Sequence, residues 1–120
     1  MPIKPSPQPG DEYALDIFHD IVRVKFCEGM AHTDGSTCWG WFDSTGRTIE
    51  ISNTDPQRMR QTLLHEFFHA CVGVMHGRGS LEGVSDPEEM FVRACESGIV
   101  HLYRMPCNKW AVDYLFGGKL

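Results

Sequence analysis

The segment Leu63 to Ala70 reads LLHEFFHA, a His-Glu-x-x-His run formed by His65, Glu66 and His69. On an α-helix, positions i and i+4 project from one face about a turn apart, so both imidazoles can reach one Zn²⁺ at about 2.0–2.1 Å. Glu66 lies one position along. Its carboxylate is offset from the ligand pair and can hydrogen-bond a metal-activated water instead of ligating the ion. Such a set can hydrolyse a carbonyl compound: zinc depresses the water's pKa, Glu66 removes a proton, hydroxide attacks, and Glu66 hands the proton to the leaving amine. One zinc ion is the expected cofactor. Chance produces this pentapeptide in roughly a few per thousand chains of such length. The competing reading is a helix whose histidines merely pack or face solvent. Leu63, Leu64, Phe67 and Phe68 bury the same helix, and two histidines with a carboxylate in such a segment are costly without a partner.

A catalytic zinc keeps three protein ligands and one open position. His76 invites comparison with H-E-x-x-H-x-x-G-x-x-H, but the register is off by one: Gly73 and His76 lie four and seven residues beyond His69. Glu88 and Glu89, about twenty residues after His69, are better placed in the first turn of a second helix. Helical phase puts Glu88 near the middle of a stripe with Val92, Cys95 and Ile99, and Glu89 on its edge. At least one of the two serves only to complement the helix dipole. Cys71 and Cys95 are read mainly as packing groups, His101 as a supporting or surface residue, and His19 and His32 as ordinary.

Positioning these groups requires two helices. Asn53-Thr54-Asp55-Pro56 combines a capping side chain with a proline at a first helical position, and a helix is expected from there to Val72 or slightly beyond, with Gly73 the first breaker. Its buried face is expected at Leu64, Phe67, Phe68, Cys71, Val72 and Met75. Residues 76–85 (HGRGSLEGVS) read as a glycine-rich loop, and Asp86-Pro87 opens a second helix over 88–104 with Phe91, Val92, Cys95, Ile99 and Leu102 on one stripe. Pro106 ends it, and residues 108–116 form a short last helix. Upstream, the second half of residues 16–28 reads as a strand, 29–37 as a loop, and Cys38–Phe42 and Thr48–Ser52 as two strands joined by residues 43–47, whose Gly46 can supply a positive φ. The fold class is therefore α+β: a small antiparallel or mixed sheet packed on the motif helix and a second long helix.

With 120 residues the chain makes one domain, assigned to residues 13–120 behind a disordered or extended proline-rich leader at 1–12. The net charge of −5 and the lack of a Lys/Arg cluster argue against nucleic-acid binding. No run of eighteen apolar residues is present, so no membrane span is expected. The five cysteines are scattered with no C-x-x-C pair, as expected of reduced thiols in a cytoplasmic protein.

The order TIEIS strand, LLHEFFHA helix, glycine loop and EEMFVRACESGIVHLYR helix resembles the minimal gluzincin metallopeptidases, a compact zincin group frequent in phages and mobile elements; the resemblance covers about residues 38–104. It implies a zincin-like fold, peptide or protein substrates, and a third zinc ligand from the start of the second helix. By its spacing to Val92, Gly98 and Ile99, that ligand is Glu89 before Glu88. It also implies an edge strand facing the substrate, a role the TIEIS strand would take by strand addition. The alternative is a non-catalytic zinc-binding regulatory or interaction domain, against which a base between the two histidines counts. A DNA-associated SprT-like protease would bring a third His and often a Cys-rich zinc ribbon, neither of which is in register.

Overall fold

The computed structural model describes residues 7–31, 33–79, 83 and 85–117. Six strands precede three helices: β1 (Glu12–Ile17), β2 (Asp20–Cys27), β3 (Met30–Ala31), β4 (Thr37–Cys38), β5 (Gly40–Asp43), β6 (Thr48–Ser52), α1 (Pro56–Gly77), α2 (Pro87–Arg104) and α3 (Lys109–Phe116), the last entered through a short 3-10 turn at Pro106–Asn108. The α+β class holds. The main sheet is mixed, in the order β1-β2-β6-β5, with β2 and β6 parallel and the other pairs antiparallel. β3 and β4 form a separate two-stranded ladder that pairs part of the segment expected to be a loop, residues 29–37, with Cys38 from the expected strand.

The sheet's inner face and the helices share one core. In β2, Val22, Val24 and Phe26 are buried between exposed or half-buried neighbours, the period-2 pattern of a strand covered on one face. Leu63, Phe67, Ala70 and Val74 of α1 join Ile49, Ile51 and the β2 residues in that core. Ala94 and Leu102 bring in α2, and Trp110, Ala111 and Tyr114 bring in α3. The Trp110 ring stacks on Tyr13 at 4.7 Å, and its Nε1 donates to the Ala14 carbonyl at 2.6 Å, so the third helix is tied to β1.

Several expectations are corrected. β1 lies mostly where no strand was expected, and the expected leader is part of the domain from residue 7 on: Pro7 is buried, Gly10 N–H donates to the Phe26 carbonyl at 2.8 Å, and Phe26 N–H donates to the Asp11 carbonyl. Residues 1–6 of that leader, His32, residues 80–82 and Val84 lie outside the described residues. In the β5–β6 turn, Arg47 takes the positive φ (51°), whereas at Gly46 a Cβ would meet Asp43 Oδ2 at 2.8 Å. Gly46 has no left-handed backbone, and its close neighbour is the end of an exposed side chain that can turn away.

α1 runs through Gly73 to Gly77, since tertiary packing outweighs the roughly 1 kcal/mol propensity cost of one glycine. Its buried residues are Met59, Thr62, Leu63, Glu66, Phe67, Ala70, Cys71 and Val74, and Leu64, Phe68, Val72 and Met75 are only half-buried. On α2, Phe91 and Val92 are about half exposed, and the buried positions are Ala94, Gly98 and Leu102. Small residues rather than the largest apolar ones face the neighbouring helix, because the backbones approach closely there. A Cβ on Gly98 would sit 2.5 Å from Cys71 Sγ.

Candidate active site

Asp55 caps α1, its side chain accepting from Arg58 N–H at 2.9 Å, and Pro56 fits a first turn that needs no N–H donor. Two and a half turns later His65 and His69 project from the exposed face, one turn apart. Their Nε2 atoms lie 3.2 Å apart. Two ligand nitrogens at about 2.05 Å from a common ion and 3.2 Å from one another subtend roughly 100° at it, close to tetrahedral. The pair therefore fits zinc. The Glu66 carboxylate stands 3.9 Å from His65 Nε2, with its side chain 9% exposed against 68% for His65. The helix places Glu66 on the floor and the imidazoles on the rim.

The floor is set by β5. A Cβ on Gly40 would lie 2.6 Å from Thr62 Cγ2, 2.9 Å from the Glu50 carbonyl and 3.5 Å from Glu66 Cγ; one on Gly73 would lie 2.9 Å from the Phe42 ring. Glycine at both positions lets the strand lie directly against the helix beside Glu66. An isolated glycine in a strand pattern marks such an approach, and Gly40 between two tryptophans carried that signal. β5 pairs with β6 on one side and is an edge of the main sheet on the other, so β6 (TIEIS), expected to receive substrate, is instead internal between β2 and β5. It is buried on both faces, with even Thr48 and Ser52 covered. Strand addition is open to β5, not β6.

Two open clefts meet at Gly40 and Glu66. One, of about 390 Å³, runs past Thr37, Trp39, Arg58, Gln61 and Thr62 to His65. The other, of about 510 Å³, runs past Trp41, Phe42, Ser44 and Val72 to His69. Glu66 thus sits midway along a groove that follows the edge strand.

Glu88 and Glu89 do not close the ligand set here. Both are exposed in the first turn of α2; Glu89 Oε1 pairs with Arg93 Nε at 3.2 Å, and the Glu88 N–H serves the Asp86 cap. Among the described residues neither joins His65 and His69 in a group of three donor atoms within 4.8 Å. The turn is nevertheless held beside α1, since the Phe91 ring meets Phe68 edge-on at 6.1 Å. Cys71 is fully buried, and burial drives its thiol far above the ordinary range, with Cys95 adding to the effect. It packs. His76 is exposed at the end of α1.

A different set does assemble. Asp16, His19 and His101 bring three donor atoms within 4.8 Å of one another, so this group can hold a metal ion. Asp16 Oδ1 accepts from the His19 backbone N–H at 2.7 Å and lies 2.8 Å from His101 Nε2. Burial alone would raise the Asp16 carboxyl; the bonds from His101 and the His19 N–H, with the nearby imidazole charge, hold it below the ordinary carboxylate value. Asn108 clamps the same residue, its Oδ1 accepting from Asp16 N–H at 2.7 Å and its Nδ2 donating to the Asp16 carbonyl at 2.8 Å. Phe18 and His19 occupy the β1–β2 turn with φ of 51° and 73°, left-handed values that a tight two-residue hairpin turn demands. His101, eighty-two residues after His19, comes from α2. No local spacing foretells this group. A two-residue turn between two alternating runs was the one available signal, and Phe-His is not a turn-favouring pair.

All five cysteines are free, and no helix among the described residues is long and apolar enough to cross a membrane. No protein-family model, curated protein or solved structure matches the chain.

Proposed function

We propose that the chain is a zinc-dependent metallopeptidase with a zincin-like arrangement, in which His65 and His69 hold the ion and Glu66 is the general base. The observation that carries this is the convergence of the two Nε2 atoms at 3.2 Å beside a Glu66 carboxylate at the floor of a through-going groove. When bound, zinc supplies Lewis-acid polarisation of the carbonyl and a lowered water pKa. Glu66 accepts the proton of the attacking water on a carboxylate oxygen. It returns that proton to the amide nitrogen as the C–N bond breaks, so the two parts of water end on the new acid and the new amine. The β5 edge orients an extended peptide through backbone hydrogen bonds, with its scissile carbonyl over Glu66.

The third ligand is a carboxylate from the first turn of α2. Glu88 shares a face with Phe91 and Cys95, at i+3 and i+7, the face that meets α1 through Phe68 and Cys71. The resemblance implies Glu89, which must first leave Arg93. That exposed pair is worth at most about 1 kcal/mol and is no obstacle.

A second reading, a metal-binding protein without catalysis, is favoured by the Asp16–His19–His101 group. Zinc titration and peptide cleavage of five variants separate the two. On the peptidase reading, His65→Ala loses tight zinc and activity, His19→Ala keeps both, and Glu66→Gln keeps zinc while losing about 10²–10⁴-fold in rate. Of Glu88→Ala and Glu89→Ala, the one that weakens zinc names the third ligand. Equal cleavage by wild type and Glu66→Gln, or loss of tight zinc only in His19→Ala, refutes the assignment.

A further inference from the structure

Arg58 is the cation on the groove lining, and it has no carboxylate partner among the described residues. Its guanidinium lies over the Trp39 ring at 4.4 Å from the centroid. Stacking fixes the plane of the fork but leaves its N–H edge free. Trp39 is held in turn, because its carbonyl accepts from Ser52 N–H at 2.9 Å just before β5 begins. Arg58, Trp39, Gln61 and Thr37 line the same cleft as Glu66. The result is a braced cation in a cleft that leads to the base, with Gln61 as a neighbouring amide.

We propose that Arg58 and Trp39 form a carboxylate-binding subsite that selects peptides bearing an acidic group on the C-terminal side of the cleaved bond. This rests on the peptidase reading above. The side follows from strand direction: β5 runs from Gly40 to Asp43, so a peptide added antiparallel runs from the Phe42 cleft toward the Trp39 cleft. The distance follows from the helix. Arg58 lies eight residues before Glu66, about 12 Å along α1 at 1.5 Å per residue, which an extended peptide spans in about three or four residues. Arginine's own reach shortens this, so the acid falls two to four residues beyond the scissile bond. In the opposite direction the Trp41, Phe42 and Val72 lining offers apolar surface and no cation, so the N-terminal half is apolar. The carboxylate has two sources, an Asp or Glu side chain or the peptide's own C-terminus. The first makes an endopeptidase with an acidic preference; the second releases short C-terminal fragments.

The test uses the zinc-loaded 120-residue chain and a randomised peptide library made with free and with amidated C-termini, read by mass spectrometry of the cleavage products. Binding is measured in parallel as fluorescence anisotropy of labelled acidic, neutral and basic peptides on zinc-loaded Glu66→Gln, with and without Arg58→Glu. Acidic peptides are expected to bind and be cut about five- to tenfold better than neutral ones, and Arg58→Glu is expected to invert the order toward basic peptides. Enrichment of internal Asp or Glu irrespective of amidation identifies the side chain as the source; loss of cleavage on amidation identifies the terminus. Unchanged preference in Arg58→Glu, with wild-type helix content and zinc, overturns the subsite while leaving the peptidase standing. Glu66→Gln as active as wild type overturns the peptidase reading itself. No acidic preference in either assay also overturns the subsite.

Discussion

α1 and α2 pack tightly at Gly98, and substitution there tests how closely they must approach. A Cβ at Gly98 would stand 2.5 Å from Cys71 Sγ, 3.3 Å from Cys71 Cβ and 3.6 Å from Phe67 Cζ. Carbon neighbours rest at about 3.5–4.0 Å, so the first contact needs roughly 1 Å of relief in a site where Cys71 is fully buried. Gly98→Ala gains about 1 kcal/mol of helix propensity and loses about 1–3 kcal/mol to overpacking, a net loss near 1 kcal/mol. Cys71→Ala removes one buried heavy atom and leaves a small cavity, costing about 1–2 kcal/mol. Together the new methyl takes the room of the lost sulfur and the propensity gain survives. The double variant should therefore match wild type, with a coupling of about 2 kcal/mol. Urea denaturation reads this as a midpoint lowered by about 0.3–1 M in Gly98→Ala and restored in the double variant. If the first turn of α2 supplies the third ligand, as proposed, zinc affinity should fall and recover in step, because a displacement at Gly98 shifts α2 against α1. Gly98→Ala as stable as wild type, or additivity within about 0.3 kcal/mol, refutes the close-packing argument.

Gly40→Ala should lower peptide turnover at least tenfold with zinc retained, because a methyl there meets the Glu50 carbonyl as well as Thr62 and pushes β5 off the helix beside Glu66; unchanged kcat/KM would show that the strand has room. Asp16 gives a pH signature. Its folded pKa lies below the ordinary 3.8, so its contribution is complete above that value and is lost as pH falls through the depressed one. Urea midpoints of wild type and Asp16→Asn should therefore differ at pH 6, begin to converge as pH falls below 3.8 and meet only below the depressed value; a gap independent of pH would mean that the charge contributes nothing.

How much was legible in the sequence depends on the range of the interaction. His65, Glu66 and His69 lie within one and a half turns of a helix, so spacing alone brings them to one face, and the 3.2 Å approach of the imidazoles follows from local geometry. The starts of α1 and α2 were equally local, each written as Asp-Pro with the Asp side chain accepting a first-turn N–H. β2, β5, β6 and the last helix announced themselves through alternation and turn chemistry.

The partners of those elements were not local. Nothing in TIEIS says that it lies between β2 and β5, yet that placement moves the sheet's open edge on this side to GWFD. The helix faces were read from the largest apolar residues, while the fold puts Ala94 and Gly98 at the α1–α2 contact because closeness there rewards small side chains. The Asp16–His19–His101 group needs a hairpin turn and a helix more than eighty residues away to meet, and the free face of Arg58 is defined by the acids it does not reach. The sequence by itself determined that His65, Glu66 and His69 share one helix, and where the caps of the helices fall, since each is a matter of a few residues along one backbone. Only the tertiary structure decided which strand is exposed, which side chains line the groove and which distant histidines converge, since those depend on how separate elements pack.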